Sequence, residues 1–404
     1  MSPVAVGTII AKNYLPFARV LVRSLRNWHP DVAVRVLVVD EFEGLFDPAA
    51  EEFPVIGLED VGAGAVHWRF GLTRNQLVSA AKPFLLEALL EGGFERALFL
   101  DADMLVTGPL EPLLRGFVGA SLLLSPHVLR PLAGPEGTSR ELTILRAGVY
   151  NAGCVGASDT GEARRILRWW RERVSFRCEE DLAGGVFYDQ RWLDLVPSLA
   201  ADLAIVRDPG VNVAWWNAAE REVRDREGRL QALGEPCRLF HFSGFDPDRP
   251  RIASRHMPES RQGESSSMAS LLRRYAALLA DAGWETCRAW PYTWDRFRNG
   301  VPIPEVARRI YLDRKDGTGF GDPFATGPGT FFEWLRGGEL DAWRDGGPLP
   351  GLWQDIWGRR GDLRRAFPDP WGKDRRALLE WAREFGAREH GIPPELLPGA
   401  AGSR

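Results

Sequence analysis

Lysine is nearly absent from this chain. Lys12, Lys82, Lys315 and Lys373 are the only ones among 404 residues, and 51 Lys+Arg against 55 Asp+Glu leave a formal net charge of −4. Without a basic surplus there is no general attraction to phosphate backbones, so a nucleic-acid binder is an unattractive class. The arginine excess, with abundant Ala, Gly and Pro, reads as codon bias. It also makes any lysine a rare choice and gives Lys82 weight as a candidate for a specific task. Cysteine is scarce as well. Cys154, Cys178, Cys237 and Cys287 include no CxxC pair, which excludes a disulfide framework and a zinc site and leaves reduced, structural thiols as the expectation. No apolar run approaches the roughly 18 residues of a membrane span, and the opening MSPVAVGTII has no basic leader. No membrane span, no signal peptide and a cytoplasmic location are therefore expected.

What is present is the composition of a folded enzyme-sized chain. At 45% hydrophobic residues, wholesale disorder is excluded, and the length suggests two domains. Strand-like and helix-like segments alternate at first. Val4–Ile10 is followed by a helical period over Tyr14–Trp28, stopped at His29-Pro30, and then by a strand at Val32–Asp40. A helix over Leu77–Leu90, bent at Pro83, precedes strands at Arg96–Asp103 and Ser121–Ser125. Further on come the strand-like GVYNAGCVGA, helices at Glu162–Val174 and Tyr188–Leu195, and strands at Ala204–Val206 and Arg238–Phe242. Alternation of this kind implies an α/β fold with a mostly parallel sheet flanked by helices, whose ligands sit beyond the carboxyl ends of the strands. The Ser-rich stretch 257–270 reads as a loop or linker, and Leu271–Ala282 as a helix closed by Gly283. Nine of sixteen tryptophans follow residue 280, so 271–404 is expected to form a smaller, mainly helical C-terminal domain.

Two motifs could carry chemistry. In ALFLDADMLV, Asp101 and Asp103 end a buried strand, where residues two apart share a face. Two carboxylates so placed repel unless a cation lies between them, and a hard divalent ion bound to a diphosphate satisfies that need. The alternative is a simple acidic turn. In RLFHFSGFDP, His241 also ends a strand, and Gly244 allows the backbone to approach a ligand closely. An imidazole with two carboxylates makes a reasonable metal set, although a histidine in an apolar strand is also a common core residue.

The segments VGTIIAKNYLPFARVLVRSLR, LFLDADMLV, NAGCVGA, FYDQRWLDLVP and LFHFSGF, in this order, resemble the GT-A glycosyltransferases. The likeness is to the glycogenin and lipopolysaccharide-galactosyltransferase type, glycosyltransferase family eight, and covers about residues 4–256. It implies a catalytic, nucleotide-sugar-binding GT-A domain over 1–256 that uses a UDP-sugar and a manganese or magnesium ion. Asp101, Asp103 and His241 would be the metal ligands. Thr8, Ile9, Ala11, Tyr14, Asp101, Ala102 and Gly244 would line the nucleotide. Lys82, Asn151, Asp189 and Gln190 would face the donor sugar, with Asp189 and Gln190 the catalytic pair. Asn212, Trp216 and Asn217 would shape the acceptor side, the acceptor being a glycan, a natural product or a protein.

There are departures from the family pattern. Pro247 stands where the family has a lysine for the diphosphate, with Arg249 or Arg251 as substitutes, and Arg191 replaces a third acid after Asp189-Gln190. The resemblance also implies retention of anomeric configuration. Local alternatives stay open: Asp189 as a helix N-cap, Asn151 as a turn cap, Trp215-Trp216 as packing and Lys82 as a solvated charge. Rival functions are a haloacid-dehalogenase-type phosphatase with Asp101 as nucleophile and a non-catalytic sugar-nucleotide-binding protein. The C-terminal domain is a candidate for acceptor binding or for homo-oligomer contacts.

Overall fold

The computed structural model describes residues 4–256, 266–314, 317–337 and 349–397. The chain divides into two compact units, 1–63 with 78–292 and 64–77 with 293–404.

The first unit is built on a seven-stranded sheet. Its order is Leu203–Ile205, Leu122–Pro126, Tyr150–Ser158, Arg96–Leu100, Val4–Ile10, Ala33–Val38 and Val55–Ile56. Neighbours pair in parallel except Tyr150–Ser158, which runs against both Arg96–Leu100 and Leu122–Pro126. Val4–Ile10 is buried along its whole length, as expected of a strand covered on both faces. Helix Leu15–Arg26 covers it, burying Phe17, Leu21 and Leu25 at helical spacing and starting with Pro16 in its first turn. Helix Gly161–Phe176 is capped by Thr160, whose Oγ1 accepts from the Ala163 N–H at 3.1 Å.

Several expected elements take a different form. The expected strand to Asp103 stops at Leu100: residues 101–103 form a turn, with the Met104 N–H donating to the Asp101 carbonyl at 3.2 Å, before the strand Met104–Val106. The helix expected over Leu77–Leu90 is two, Arg74–Ala80 and Lys82–Glu91, and Pro83 lies in the first turn of the second, where its missing N–H costs nothing. The stretch Tyr188–Leu195 is no α-helix. Tyr188 sits at φ 46°, and a 3₁₀ turn over Arg191–Leu195 leads into Val196–Leu199. Helix Gly134–Ala147 and the antiparallel strands Val223–Arg226, Arg229–Ala232 and Glu235–Pro236 escape the sequence reading altogether.

The division between units also differs from a break at 257–270. Of that stretch, 257–265 lies outside the described residues, and Ser266 caps helix Ser267–Asp281 by accepting from the Ala269 N–H at 3.1 Å. This helix belongs to the first unit. Its Tyr275 is fully buried, stacked on Phe242 at 3.6 Å and edge-on to Phe17 at 6.2 Å. Its apolar stripe thus has its partner in the sheet unit, and the Ser-rich composition before it does not mark a change of core.

The second unit is mainly helical, with helices Val66–Gly71, Glu305–Asp313, Phe331–Arg336, Gly351–Arg359, Gly361–Ala366 and Arg375–Trp381. Phe70 is at its centre, 4.8 Å from the Tyr311 ring and 5.1 Å from that of Phe324. The buried Arg308 guanidinium donates to the carbonyls of Phe70 at 2.7 Å, Leu72 at 3.1 Å and Trp294 at 2.7 Å. A segment far upstream is in this way a structural part of the C-terminal unit. Among the described residues no helix is long and apolar enough to cross a membrane.

Candidate metal and sugar-nucleotide site

The site lies at the carboxyl end of Arg96–Leu100, where the chain turns through Asp101-Ala102-Asp103. Strand Leu239–His241 pairs antiparallel with Met104–Val106, setting His241 opposite Met104, and the Phe242 N–H donates to the Asp103 carbonyl at 2.8 Å. The result is a cluster. His241 Nε2 is 3.1 Å from Asp103 Oδ1 and 3.7 Å from Asp101 Oδ2, and one donor atom from each of the three residues lies within 4.8 Å of the others. The carboxylates converge through a turn, not through alternation along one strand.

Gly153 makes room for this convergence. It lies on the neighbouring strand, where its carbonyl accepts from the Asp101 N–H at 2.8 Å. A Cβ there would stand 2.4 Å from Asp101 Oδ2 and 2.8 Å from His241 Cε1. Two carboxylates and an imidazole are a donor set suited to a manganese or magnesium ion, so these residues fit the cation that the resemblance implies. Burial opposes ionisation of Asp103, but His241 beside it outweighs that and holds its carboxyl below the usual range.

Lys82 is buried behind the cluster. Its Nζ lies 3.3 Å from Asp101 Oδ1 and 3.2 Å from Asp189 Oδ2, donates to the Ala152 carbonyl at 3.2 Å, and sits over the Phe99 ring. Burial pulls its pKa down, yet the two carboxylates outweigh that and hold it above the ordinary lysine value. For Asp189, burial is the larger influence and its pKa is raised. Lys82 is therefore an internal counter-charge and not a solvated one. Asp189 is no helix N-cap: its buried carboxylate is committed to Lys82, and its carbonyl accepts from Trp170 Nε1 at 3.0 Å.

Asn151 and Gln190 are brought together. Gln190 Oε1 accepts from Asn151 Nδ2 and from the Ala152 N–H, both at 3.2 Å, while its Nε2 donates to the Ala147 carbonyl at 3.0 Å. The residues expected on the acceptor side are buried beside His241 and His127. Asn212 and Asn217 are fully buried and spend their amides internally, and Trp216 is buried edge-on between His127 at 5.2 Å and His241 at 5.1 Å. Of the expected nucleotide residues, Thr8, Ile9, Ala11 and Ala102 have buried side chains, and half-buried Tyr14 stacks on Phe17 at 4.5 Å. Gly244 has φ 72°, and the space of its missing side chain is taken by this chain's own Ser254 and His256, each 2.7 Å from a Cβ there. Its bareness admits those residues. Arg249 turns to Asp246 at 3.8 Å with an exposed side chain.

His127 carries no signal in the sequence. Its Nδ1 is 3.1 Å from the Val149 carbonyl and its Nε2 is 3.3 Å from Asn151 Nδ2, and burial pushes its pKa down to about 4. Ser125, which accepts from Asn212 Nδ2 at 3.3 Å, carries no such signal either. Neither residue lies in a motif, and only their spatial neighbours reveal them.

Fold and site together define the class: an α/β protein with a candidate cation site of two aspartates and a histidine at the carboxyl ends of a mostly parallel sheet. No protein-family model matches the chain. Over 250 residues it is 26% identical to the uncharacterized protein YfnF of Bacillus subtilis (strain 168), spanning 59% of this chain and 80% of that one. Over 102 residues it is 33% identical to the uncharacterized protein YfnD of the same organism, spanning 25% and 33%. Among solved structures it is similar to the galactosyltransferase LgtC in complex with donor and acceptor sugar analogs, at 17% identity over 68% of this chain and 95% of that one, with a TM-score of 0.41. It is also similar to the glycosyltransferase GlyE of Streptococcus pneumoniae TIGR4, at 15% identity over 73% and 66%, with a TM-score of 0.40.

Proposed function

We propose that this protein is a metal-dependent glycosyltransferase of the GT-A type that moves a hexose from a UDP-sugar to an acceptor with retention, its catalytic domain lying in the first unit. The observation that carries this reading is the Asp101–Asp103–His241 cluster at the carboxyl end of the sheet, its donor atoms within 4.8 Å of one another beside an ion-paired Lys82 and Asp189. A bound divalent ion would neutralise charge on the departing nucleoside diphosphate.

The chain's own residues supply the rest. Asp101 and Asp103 present hard oxygens, and His241 presents Nε2. Lys82 cancels part of the repulsion between Asp101 and Asp189, so that both carboxylates can stay close to the sugar. Gln190 Oε1 is held in place by Asn151 and the Ala152 N–H, and its role in this reading is to stabilise positive charge developing at the anomeric carbon. Attack from the face the diphosphate leaves needs no carboxylate base, and the leaving phosphate can take the acceptor's proton.

The test is hydrolysis of UDP-, GDP- and dTDP-sugars without acceptor, with and without manganese, alongside the Asp101→Ala/Asp103→Ala double variant. Manganese-dependent release of UDP, abolished in the variant, is the expected result. Absence of both turnover and binding of every sugar nucleotide overturns the reading.

A further inference from the structure

Asn212 lies behind the metal-facing histidine. It is fully buried, takes a left-handed backbone conformation at φ 57°, and sets its Oδ1 3.1 Å from His241 Nδ1. Asparagine tolerates that conformation better than most residues, but the backbone must be held there. Asn217 does this. Its Nδ2 donates to the Asn212 carbonyl at 3.1 Å and to the His127 carbonyl at 3.0 Å, while its Oδ1 accepts from the Ala214 N–H at 2.9 Å.

The direction of every amide in the network is fixed by backbone groups at its ends. Asn151 Oδ1 accepts from the Gly153 N–H at 3.1 Å, so it is oxygen, and the 3.1 Å contact with Asn212 must be a donation from Asn212 Nδ2. Asn151 Nδ2 then donates to Gln190 Oε1, whose own identity is fixed by the Ala152 N–H, leaving Gln190 Nε2 to meet the Ala147 carbonyl. With Nδ2 so assigned, the atom that Asn212 turns to His241 is its oxygen. An amide oxygen only accepts, so the imidazole carries a proton on Nδ1 and turns Nε2 to the side of Asp103 and Asp101, where the neutral ring would offer its lone pair to a cation.

We propose that Asn212 is a positioning residue of the metal centre, holding His241 as the Nδ1–H tautomer and, through Asn151, tying that ring to Gln190. The proposal rests on the reading of Asp101, Asp103 and His241 as a divalent-cation site. It reassigns a residue expected on the acceptor side and couples the cation to the residues expected at the donor sugar.

The experiment is a manganese titration of the full-length protein without sugar nucleotide, read by the electron spin resonance of free ion and by the echo modulation of a coordinated imidazole nitrogen. Asn212→Leu removes the acceptor and is expected to weaken manganese binding by about 10- to 100-fold, with loss of the imidazole modulation. Asn212→Asp keeps an acceptor facing Nδ1 and is expected to retain the modulation. A folded Asn212→Leu protein with unaltered affinity and modulation overturns the proposal. So does a folded Asn212→Asp protein that has lost the modulation, which keeps the test open if the leucine variant does not fold. An unaltered protein that binds no manganese removes the cation site itself, a failure of the parent reading that is distinct from these two and takes the proposal with it.

Discussion

Gly153→Ala tests whether the cluster is a built cation site. The added Cβ would stand 2.4 Å from Asp101 Oδ2, 2.8 Å from Asn151 Oδ1 and 2.8 Å from His241 Cε1, all under the 3.0 Å below which something must move. Overpacking of this kind costs about 1–3 kcal/mol. Where that cost falls depends on which neighbour yields. Asn151 and His241 are buried and hydrogen-bonded, whereas the Asp101 side chain is 26% exposed and is held mainly by its ion pair with Lys82. Asp101 therefore gives way, and the loss appears mainly in metal binding. If all of it does, manganese affinity falls by about 5- to 140-fold, since each ~1.4 kcal/mol is tenfold. Isothermal titration with manganese and urea denaturation, run on the same preparation, separate the two destinations. Gly161→Ala is the control, because a Cβ there meets nothing within 4 Å. Unaltered manganese affinity in a folded Gly153→Ala protein would refute the argument that this glycine is bare to let the donor atoms converge.

Lys82→Met leaves the Asp101 and Asp189 carboxylates without their shared cation, and urea denaturation at pH 7 is expected to show a loss of about 3–5 kcal/mol. The loss shrinks in acid, where Asp189, its pKa already raised by burial, takes up a proton first. A loss below ~1 kcal/mol would contradict the ion-pair geometry. His127 is held neutral by burial, with a folded pKa of about 4 against an ordinary 6.5, so its contribution is present above the unfolded value and lost as pH falls through the folded one. Between pH 6.5 and 4 the protein should lose about 3 kcal/mol that His127→Gln does not lose; equal pH slopes for the two proteins would reject the assignment. Arg308→Met orphans the carbonyls of Phe70, Leu72 and Trp294 and should cost about 3 kcal/mol or more. Protease cleavage within 64–77 should accelerate in parallel, and an unchanged cleavage rate would show that Arg308 does not hold that segment.

What the sequence could show depended on how local each cause was. Val4–Ile10, Ala33–Val38 and Arg96–Leu100 are legible because an interior strand covered on both faces must be largely apolar, with Arg35 and Arg96 only half-buried. The reversed direction of Tyr150–Ser158 is not, since alternation and burial look the same for either direction. Helix Gly134–Ala147 is masked by a Gly-Pro start and by Leu142 and Leu145, which lie exposed instead of marking a core face. The part of the second unit formed by 64–77 is invisible in sequence because Phe70 finds Tyr311 and Phe324 far along the chain.

The site divides in the same way. Asp101, Asp103 and His241 are legible as residue types, but the geometry that joins them comes from a turn, a second strand and a bare Gly153. The amide chain is the hardest part to foresee. Asn212 and Asn217 come to notice only through the family resemblance, which implies an acceptor-side role, and asparagine and glutamine lie mostly at the surface. In the fold Asn151, Gln190, Asn212 and Asn217 are all buried, which is tolerable only because nearly every amide atom finds a partner. A fully satisfied polar network is costly to assemble and of little use for stability alone, as apolar residues would fill the same space. Its presence directly behind His241, joining that ring to Gln190, is therefore best explained by a demand for orientation, and that demand is what the Asn212 variants measure.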